Sequence, residues 1–245
     1  MLPGRRRYED STFDFLMPLI TLHSPLYLAS SNLGKLREFR EAASGRGIQV
    51  KPLPGIERLP PCIEDGRTFE ENARKKALHY SAYVSGPVFA DDSGISVDAL
   101  GGAPGVSSAR FSGPNATDDE NNRKLLQELR RVETAAPGFR PASLAAALAE
   151  RGIASALENQ PYHPAAHYVC VIALAQRSRI LCVTEGRADG VILDEPRGTG
   201  GFGYDPYFFY APLGRTFAEL KPEEKFAVSH RGKAFRKLLE SLSQE

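Results

Sequence analysis

Net charge is almost absent from this sequence: 31 lysines and arginines stand against 30 aspartates and glutamates in 245 residues. A chain so balanced has no global basic field for wrapping nucleic acid or lying on a membrane surface. Any anion it binds must be held by local geometry. Long apolar runs are lacking too, and no window approaches the ~20 apolar residues of a membrane-spanning helix. Cysteine is sparse: Cys62, Cys170 and Cys182 show neither C-x-x-C nor any other metal-ligand spacing. An odd, scattered set reads as the reduced thiols of a cytoplasmic protein and excludes a disulfide framework. No internal repeat is found.

The N-terminus carries Arg5-Arg6-Arg7 and then "FDFLMPLITL", interrupted by Asp14 and Pro18 and without an A-x-A-like cleavage site. Residues 1–24 read as a poorly ordered extension or a misplaced start codon, with a signal peptide as the remaining alternative. Residues 25–245 read as one domain, and the 42% apolar content is ample for its core.

Apolar spacing then predicts the elements. "PLYLAS" (25–30) reads as a first buried strand. Residues 33–44 read as a helix with Leu36, Phe39 and Ala43 on one face and Gly45 as its stop. A second helix runs from Thr68 to about Tyr83, opened by a Thr68/Glu71 capping box and striped by Phe69, Ala73, Ala77 and Tyr80. Thr117 and Glu120 repeat that signature ahead of Leu125, Leu126 and Leu129. Further strands are expected at 87–90, 167–175 and 179–184. A last helix is expected at about 231–242, with Phe235, Leu238, Leu239 and Leu242 inward. Helices and strands alternate early and strands cluster later, which gives an α/β class with a mixed sheet. Residues 134–165, rich in Ala and Pro, read as an inserted excursion with one short helix at 143–151.

Four segments carry chemistry. In "VFADDSG" (88–94) a short apolar run gives way to Asp91 and Asp92, which in isolation form an ordinary turn with Ser93 and Gly94. Placed at the end of a strand, they sit where open α/β sheets bind ligands, and carboxylates there suit a hard cation such as Mg2+. Side chains alternate along a strand, so only one of the pair should face the ligand, the other orienting it or capping backbone. "SSNLGK" (30–35) joins a strand to a helix, a natural anion site at the positive end of the helix dipole; the plainer alternative is that Ser31 or Asn32 merely caps the helix. It is not a Walker A loop. "GTGGFGYDP" (198–206) formally satisfies G-x-G-x-x-G, but the Pro-broken aromatic run after it is no helix, so the dinucleotide-binding reading fails. Its glycines instead suit a loop bringing backbone and a ring close to a flat ligand. "EEKFAVSHRGKAF" (223–235) places Lys225, His230, Arg231 and Lys233 about a helix start, which is either a solvated basic end or a site for phosphate or a carbonyl oxygen.

Taken together and in this order, "SSNLGK", "TFEENARKKA", "FADDSGISVDALGGAPGVSSARFSG", "GTGGFGYDPYFF" and "SHRGKA" resemble the inosine triphosphate pyrophosphatase family, across residues 26–133 and 166–242. The resemblance implies an elongated two-lobed α/β fold, with a mixed central sheet flanked by helices, a cleft between the lobes and homodimeric assembly. It implies hydrolysis of ITP, dITP or XTP to the monophosphate and pyrophosphate with Mg2+, which removes deaminated purines from the nucleotide pool. Carried over residue by residue, Ser30, Ser31, Asn32, Leu33, Gly34 and Lys35 surround the triphosphate. Asp92 becomes catalytic base and metal ligand, and Ser93 a substrate contact. Phe202, Gly203, Tyr204 and Asp205 fall on the base-and-sugar loop, Lys225 on a further substrate contact, and His230 with Arg231 on the base-reading pair.

This chain departs from the family's T-G-N-x-x-K pattern at Ser30 and Ser31, and losing Gly at 31 restricts the backbone if φ must be positive there. The paired acids usual before G-x-T-F become Ile63, Glu64 and Asp65; Glu64 is taken as the second metal carboxylate, with a register shift of one as the alternative. The expected partner is a small purine nucleoside triphosphate, with neither nucleic acid nor membrane. Two other readings remain open: a nucleotide pyrophosphatase of different base preference, such as dUTP, and a catalytically silent nucleotide sensor. The retained "ADDSG" argues against the sensor.

Overall fold

A computed structural model describes residues 25–135 and 164–243. The expected extension at 1–24, the helix at 143–151 and nearly all of the 134–165 excursion lie outside them.

The described elements run β1 (Leu26–Leu28), α1 (Leu33–Ser44), β2 (Val50–Pro52), α2 (Phe69–Ser81), β3 (Val88–Val97), a 3-10 segment (Gly105–Arg110) and α3 (Asp118–Ala135). They continue as β4 (Ala165–Gln176), β5 (Arg179–Ile192), β6 (Phe208–Tyr210), β7 (Arg215–Thr216), α4 (Pro222–Val228) and α5 (His230–Ser243). The sheet has seven strands in the order β2-β1-β3-β4-β5-β6-β7. β1 lies parallel to both β2 and β3, and every later pairing is antiparallel. The sheet is therefore mixed, as the spacing predicts.

Helix starts follow from their caps. Asn32 closes the first turn of α1 by accepting the Lys35 N–H at 3.0 Å. Thr117 and Glu120 satisfy one another's backbone N–H groups ahead of α3, at 3.3 and 2.8 Å. The box expected at α2 is only half made: Thr68 accepts the Glu71 N–H, but the Glu71 carboxylate reaches past Thr68 to the N–H of Arg67. This keeps the chain entering α2 tied down at Arg67.

Register produces two lobes. β3, β4 and β5 are long, and β1 joins β3 at Val88 and Phe89, whereas β6 joins β5 at Val191 and Ile192, at the opposite end of the three strands. The short strands thus extend the sheet diagonally, and each end has its own core. At one end Leu36, Phe39, Phe89, Ile172, Phe235 and Leu238 pack α1 and α5 onto one face, while Ala73, Ala77, Tyr80 and Val171 pack α2 onto the other. At the far end Ile95, Leu125, Tyr168, Phe208 and Phe217 form a second core. Phe39 meets Phe89 edge-on with ring centroids 5.1 Å apart, an aromatic contact adding about 1 kcal/mol to area burial.

The strand expected to stop at Ala90 does not stop. β3 pairs without a break against β4 from Val88↔Ala175 to Val97↔Ala166. Asp91 and Asp92 are mid-strand residues, flanked by Ile172 and Val171, and lie where the two lobes meet. Turn-forming residue types misled the reading because β4, distant in sequence, supplies the ladder that holds them extended.

α5 meets the sheet backbone to backbone. Gly186 of β5 faces it, and a Cβ there would collide with the His230 carbonyl and the Ala234 N–H. Because backbone cannot rotate out of the way, Gly186→Ala should lower stability by about 1–3 kcal/mol. Urea unfolding checks this, and an unchanged midpoint refutes the close contact.

Candidate active site

Strand alternation sends the two central carboxylates to opposite faces of β3. Asp91 points toward α1 and α5, where it accepts the Lys35 ammonium at 2.7 Å. The Arg231 guanidinium lies beside it, Nε at 3.7 Å. Burial by itself would raise the pKa of Asp91, yet the Lys35, Arg231 and Lys76 charges outweigh it and hold the carboxyl well below the usual range. Asp92 points toward α2. Its Oδ2 accepts from Asn72 at 3.0 Å, and its Oδ1 lies 3.4 Å from the Lys76 ammonium. Here burial wins, helped by the nearby Glu64 and Asp91 carboxylates, and raises Asp92 above the ordinary aspartate value against the pull of Lys76 and Asn72.

Glu64 enters the same cluster. Its Oε2 takes the Lys76 ammonium at 2.9 Å, so Glu64 and Asp92 converge on one point, whereas Asp65 turns away to Lys75 on the surface. Of the two neighbouring acids, Glu64 is the one that shares a cation with Asp92. A mostly buried Asp92 and a more exposed Glu64, both aimed at the Lys76 ammonium, supply oxygen donors of the kind a hard divalent ion takes when waters and phosphate oxygens complete its shell. No group of three His, Cys, Asp or Glu with metal-binding geometry is present among the described residues.

The "SSNLGK" junction meets β3 on its other face, through the Lys35–Asp91 pair. Ser30 Oγ accepts the Asn32 N–H at 3.2 Å, and Asn32 is itself the N-cap, in ordinary extended geometry. First-turn N–H groups of a helix have no partner within it and can face an anion. The capping and anion-site readings are thus compatible. The Leu33 side chain, by contrast, projects into solvent, 78% exposed. Among described non-glycine residues only Arg177 and Ser178 have positive φ, so Ser31 in place of Gly carries no strain.

The other lobe contributes a cavity lined by Ser93, Tyr168, Phe202, Lys225, His230 and Arg231 among others. Its glycine-rich wall is braced by hydrogen bonds. Asp205 accepts the Phe202 N–H at 2.9 Å and pairs with buried Lys225. Gly203 donates to Asp118 at 2.7 Å and accepts from Asn122 at 2.9 Å, and the Tyr204 hydroxyl donates to the Ser108 carbonyl at 2.8 Å. Phe202 stays 40% exposed, its ring 4.6 Å from the Lys225 ammonium and 5.3 Å from the Arg231 guanidinium. His230 stacks flat on Tyr168, centroids 4.5 Å apart at 6°.

With the geometry in place, comparison with known proteins is decisive. Residues 26–147 and 134–241 match the model of the Ham1 family. The chain belongs to the Ham1 family. It is similar to a dITP/XTP pyrophosphatase of Geobacter sulfurreducens, 44% identical over 89% of this chain and 96% of that protein. It is also similar to one of Syntrophobacter fumaroxidans, 41% identical over 91% and 83%. Among solved structures it resembles a HAM1 protein from Coxiella burnetii, TM-score 0.72 and 37% identity, covering 90% of this chain and 99% of that one. The structure of a nucleoside-triphosphatase / dITP/XTP pyrophosphatase from Mycobacterium abscessus matches with TM-score 0.61 and 35% identity over 88% and 99%.

In this Ham1 chain several site neighbours went unread in the sequence: Asn72, Lys76, Tyr168, and Glu38, which grips Arg231 at 2.8 Å. Asn72 and Lys76 had a signal. They fall in phase with the apolar stripe Phe69, Ala73, Ala77 and Tyr80, and polar residues on a buried stripe need partners. Tyr168 reads only as a strand residue.

Burial, with the Arg231 and Lys225 charges, holds the His230 imidazole well below the usual histidine range. The folded protein therefore keeps His230 neutral where the unfolded chain takes up a proton, below about pH 6.5. Its stabilising contribution is complete above that pH and is lost as pH falls, at up to about 1.4 kcal/mol per unit. His230→Phe retains a ring on Tyr168 and removes the titration. Melting temperatures between pH 7.5 and 5 should fall less steeply for this variant than for the wild type, and parallel slopes would count against the neutral His230.

Proposed function

We propose that the chain hydrolyses deaminated purine nucleoside triphosphates, ITP, dITP and XTP, to the monophosphate and pyrophosphate. The observation that carries this is the convergence of a carboxylate cluster, a lysine-bearing helix start and a polar-rimmed aromatic cavity on the middle of β3, in a chain whose relatives are named for this activity.

In this reading the triphosphate lies along the start of α1, with Ser30 to Lys35 around it and the Lys35 ammonium neutralising its charge. Glu64 and Asp92 would hold Mg2+, which when bound would supply charge neutralisation at the phosphate oxygens and a more acidic water. Asp92 takes the proton of the water attacking the α-phosphorus. The bond to the β-phosphate oxygen breaks and pyrophosphate leaves toward Lys35. Asn72 and Lys76 fix the Asp92 carboxylate, so its lone pair is aimed before substrate arrives.

The base enters the cavity and stacks on Phe202, with Ser93, Gly203, Tyr204, Asp205 and Lys225 lining base and sugar. Arg231 is always a donor, and a buried His230 kept neutral still offers one N–H. These donors match a six-carbonyl and are left unpaired by the amino group of adenine, a mismatch that can discriminate by several powers of ten. The reading includes a cytoplasmic homodimer. Its three cysteines are unpaired, and among the described residues no helix is long and apolar enough to cross a membrane.

Two measurements test it. Pyrophosphate release with Mg2+ should be fast from ITP, dITP and XTP and slow from ATP; equal rates on ATP and ITP would end the account of specificity. Asp92→Asn should lower kcat by about 10²–10⁴-fold with the fold intact by circular dichroism, and a fully active variant would remove Asp92 as the base.

A further inference from the structure

Between the phosphate end and the base end lies a nearly closed ring of four charges. Lys35 and Glu38 stand one turn apart on α1. Lys35 bonds Asp91 of β3 at 2.7 Å, and Glu38 bonds Arg231 of α5 at 2.8 Å. Between Asp91 and Arg231 the ring is nearly shut but not bonded: Nε stands 3.7 Å from Oδ2. Ser93 spans that gap weakly, 3.4 Å from the guanidinium and 3.5 Å from the carboxylate. Asp91 Oδ1 and Arg231 Nε are both buried without a hydrogen-bond partner. The Asp91 oxygen nearest Nε is Oδ2, which Lys35 already holds, so a buried charged donor and a buried charged carboxylate stand side by side unbonded, an unfavourable arrangement that release of Oδ2 would relieve.

We propose that Asp91 is a positioning residue that couples the two halves of the substrate. While Lys35 holds Asp91, the one short ion pair of Arg231 is to Glu38, with Ser93 and Asp91 at longer range. When phosphate draws Lys35 away, the Asp91 carboxylate is left as a buried unpaired charge, and it closes on Arg231 Nε. The guanidinium is then gripped from both sides and set for the base. Linkage makes the effect mutual: a base that fixes Arg231 against Asp91 frees Lys35 for phosphate. The ring thereby favours ligands carrying both a readable base and a polyphosphate over either part alone. This inference rests on the proposed reading, in which Lys35 meets phosphate and Arg231 the base.

Calorimetric titration of the full chain tests it, with inosine as one half-ligand and Mg2+ with pyrophosphate as the other. In the wild type, saturating pyrophosphate should tighten inosine binding roughly tenfold, within the usual range of coupling between sites. In Asp91→Asn both ligands should still bind but without mutual effect. Lys35→Met gives the sharper result, because it leaves Asp91 free for Arg231 from the outset: inosine alone should bind more tightly than to the wild type, and pyrophosphate should add nothing. A merely structural Asp91 predicts no such gain. Should Asp91→Asn fail to fold, the Lys35→Met arm decides. Full coupling retained in Asp91→Asn, or weaker inosine binding in Lys35→Met, overturns the proposal. A wild type that binds both ligands independently overturns the coupling and leaves the functional reading standing; one that binds neither overturns both.

Discussion

A buried carboxylate in the middle of a β-sheet is unfavourable unless cations are brought to it, and Asp91 forces the rest of the architecture to supply them. α1 delivers Lys35 and α5 delivers Arg231, each from the first turn of a helix whose apolar face, through Phe39 and Phe235, packs on the same side of β3. The packing that builds one core is thus the packing that sets these charges. Asp92, one residue on, lies on the opposite face and draws its partners from α2 by the same logic. Adjacent carboxylates that share a strand but not a face end up in opposite states: one locked into its anionic form by cations, the other with its proton affinity raised.

Much of this was legible in the chain. Helix boundaries followed from caps and stripes: Asn32 and Gly45 bracket α1 where the spacing puts them, and α5 begins at His230. Strand existence was legible and strand length was not. Residues such as Asp91 to Gly94 have poor local β preference, and only pairing with β4, more than seventy residues away, keeps them extended. The separation of lobes was equally invisible locally, because it arises from which ends of three long strands the short ones join.

The site was legible where chemistry and spacing coincide and illegible where a residue acts through a neighbour. Lys35, Asp92, Lys225, His230 and Arg231 announce themselves as charges beside glycine turns or helix starts. Glu38 looks like one more surface glutamate on a polar helix face, and nothing local says that it meets Arg231 across 193 positions of sequence. Tyr168 is similarly mute: its stacking on His230 exists only once β4 and α5 are assembled. That Glu64 joins Asp92 at Lys76 while Asp65 pairs with Lys75 is the same kind of three-dimensional fact, set by the direction in which each lysine projects from α2.

β3, β4 and β5 pass uninterrupted through both halves of the molecule. Neither half can therefore melt by itself, since loss of order at one end removes hydrogen-bond partners from strands that continue into the other. A cavity-forming change near Phe208, remote from the carboxylates, would register as a loss of stability for the whole ladder. Packing defects at a distance would thus weaken the candidate site without touching it.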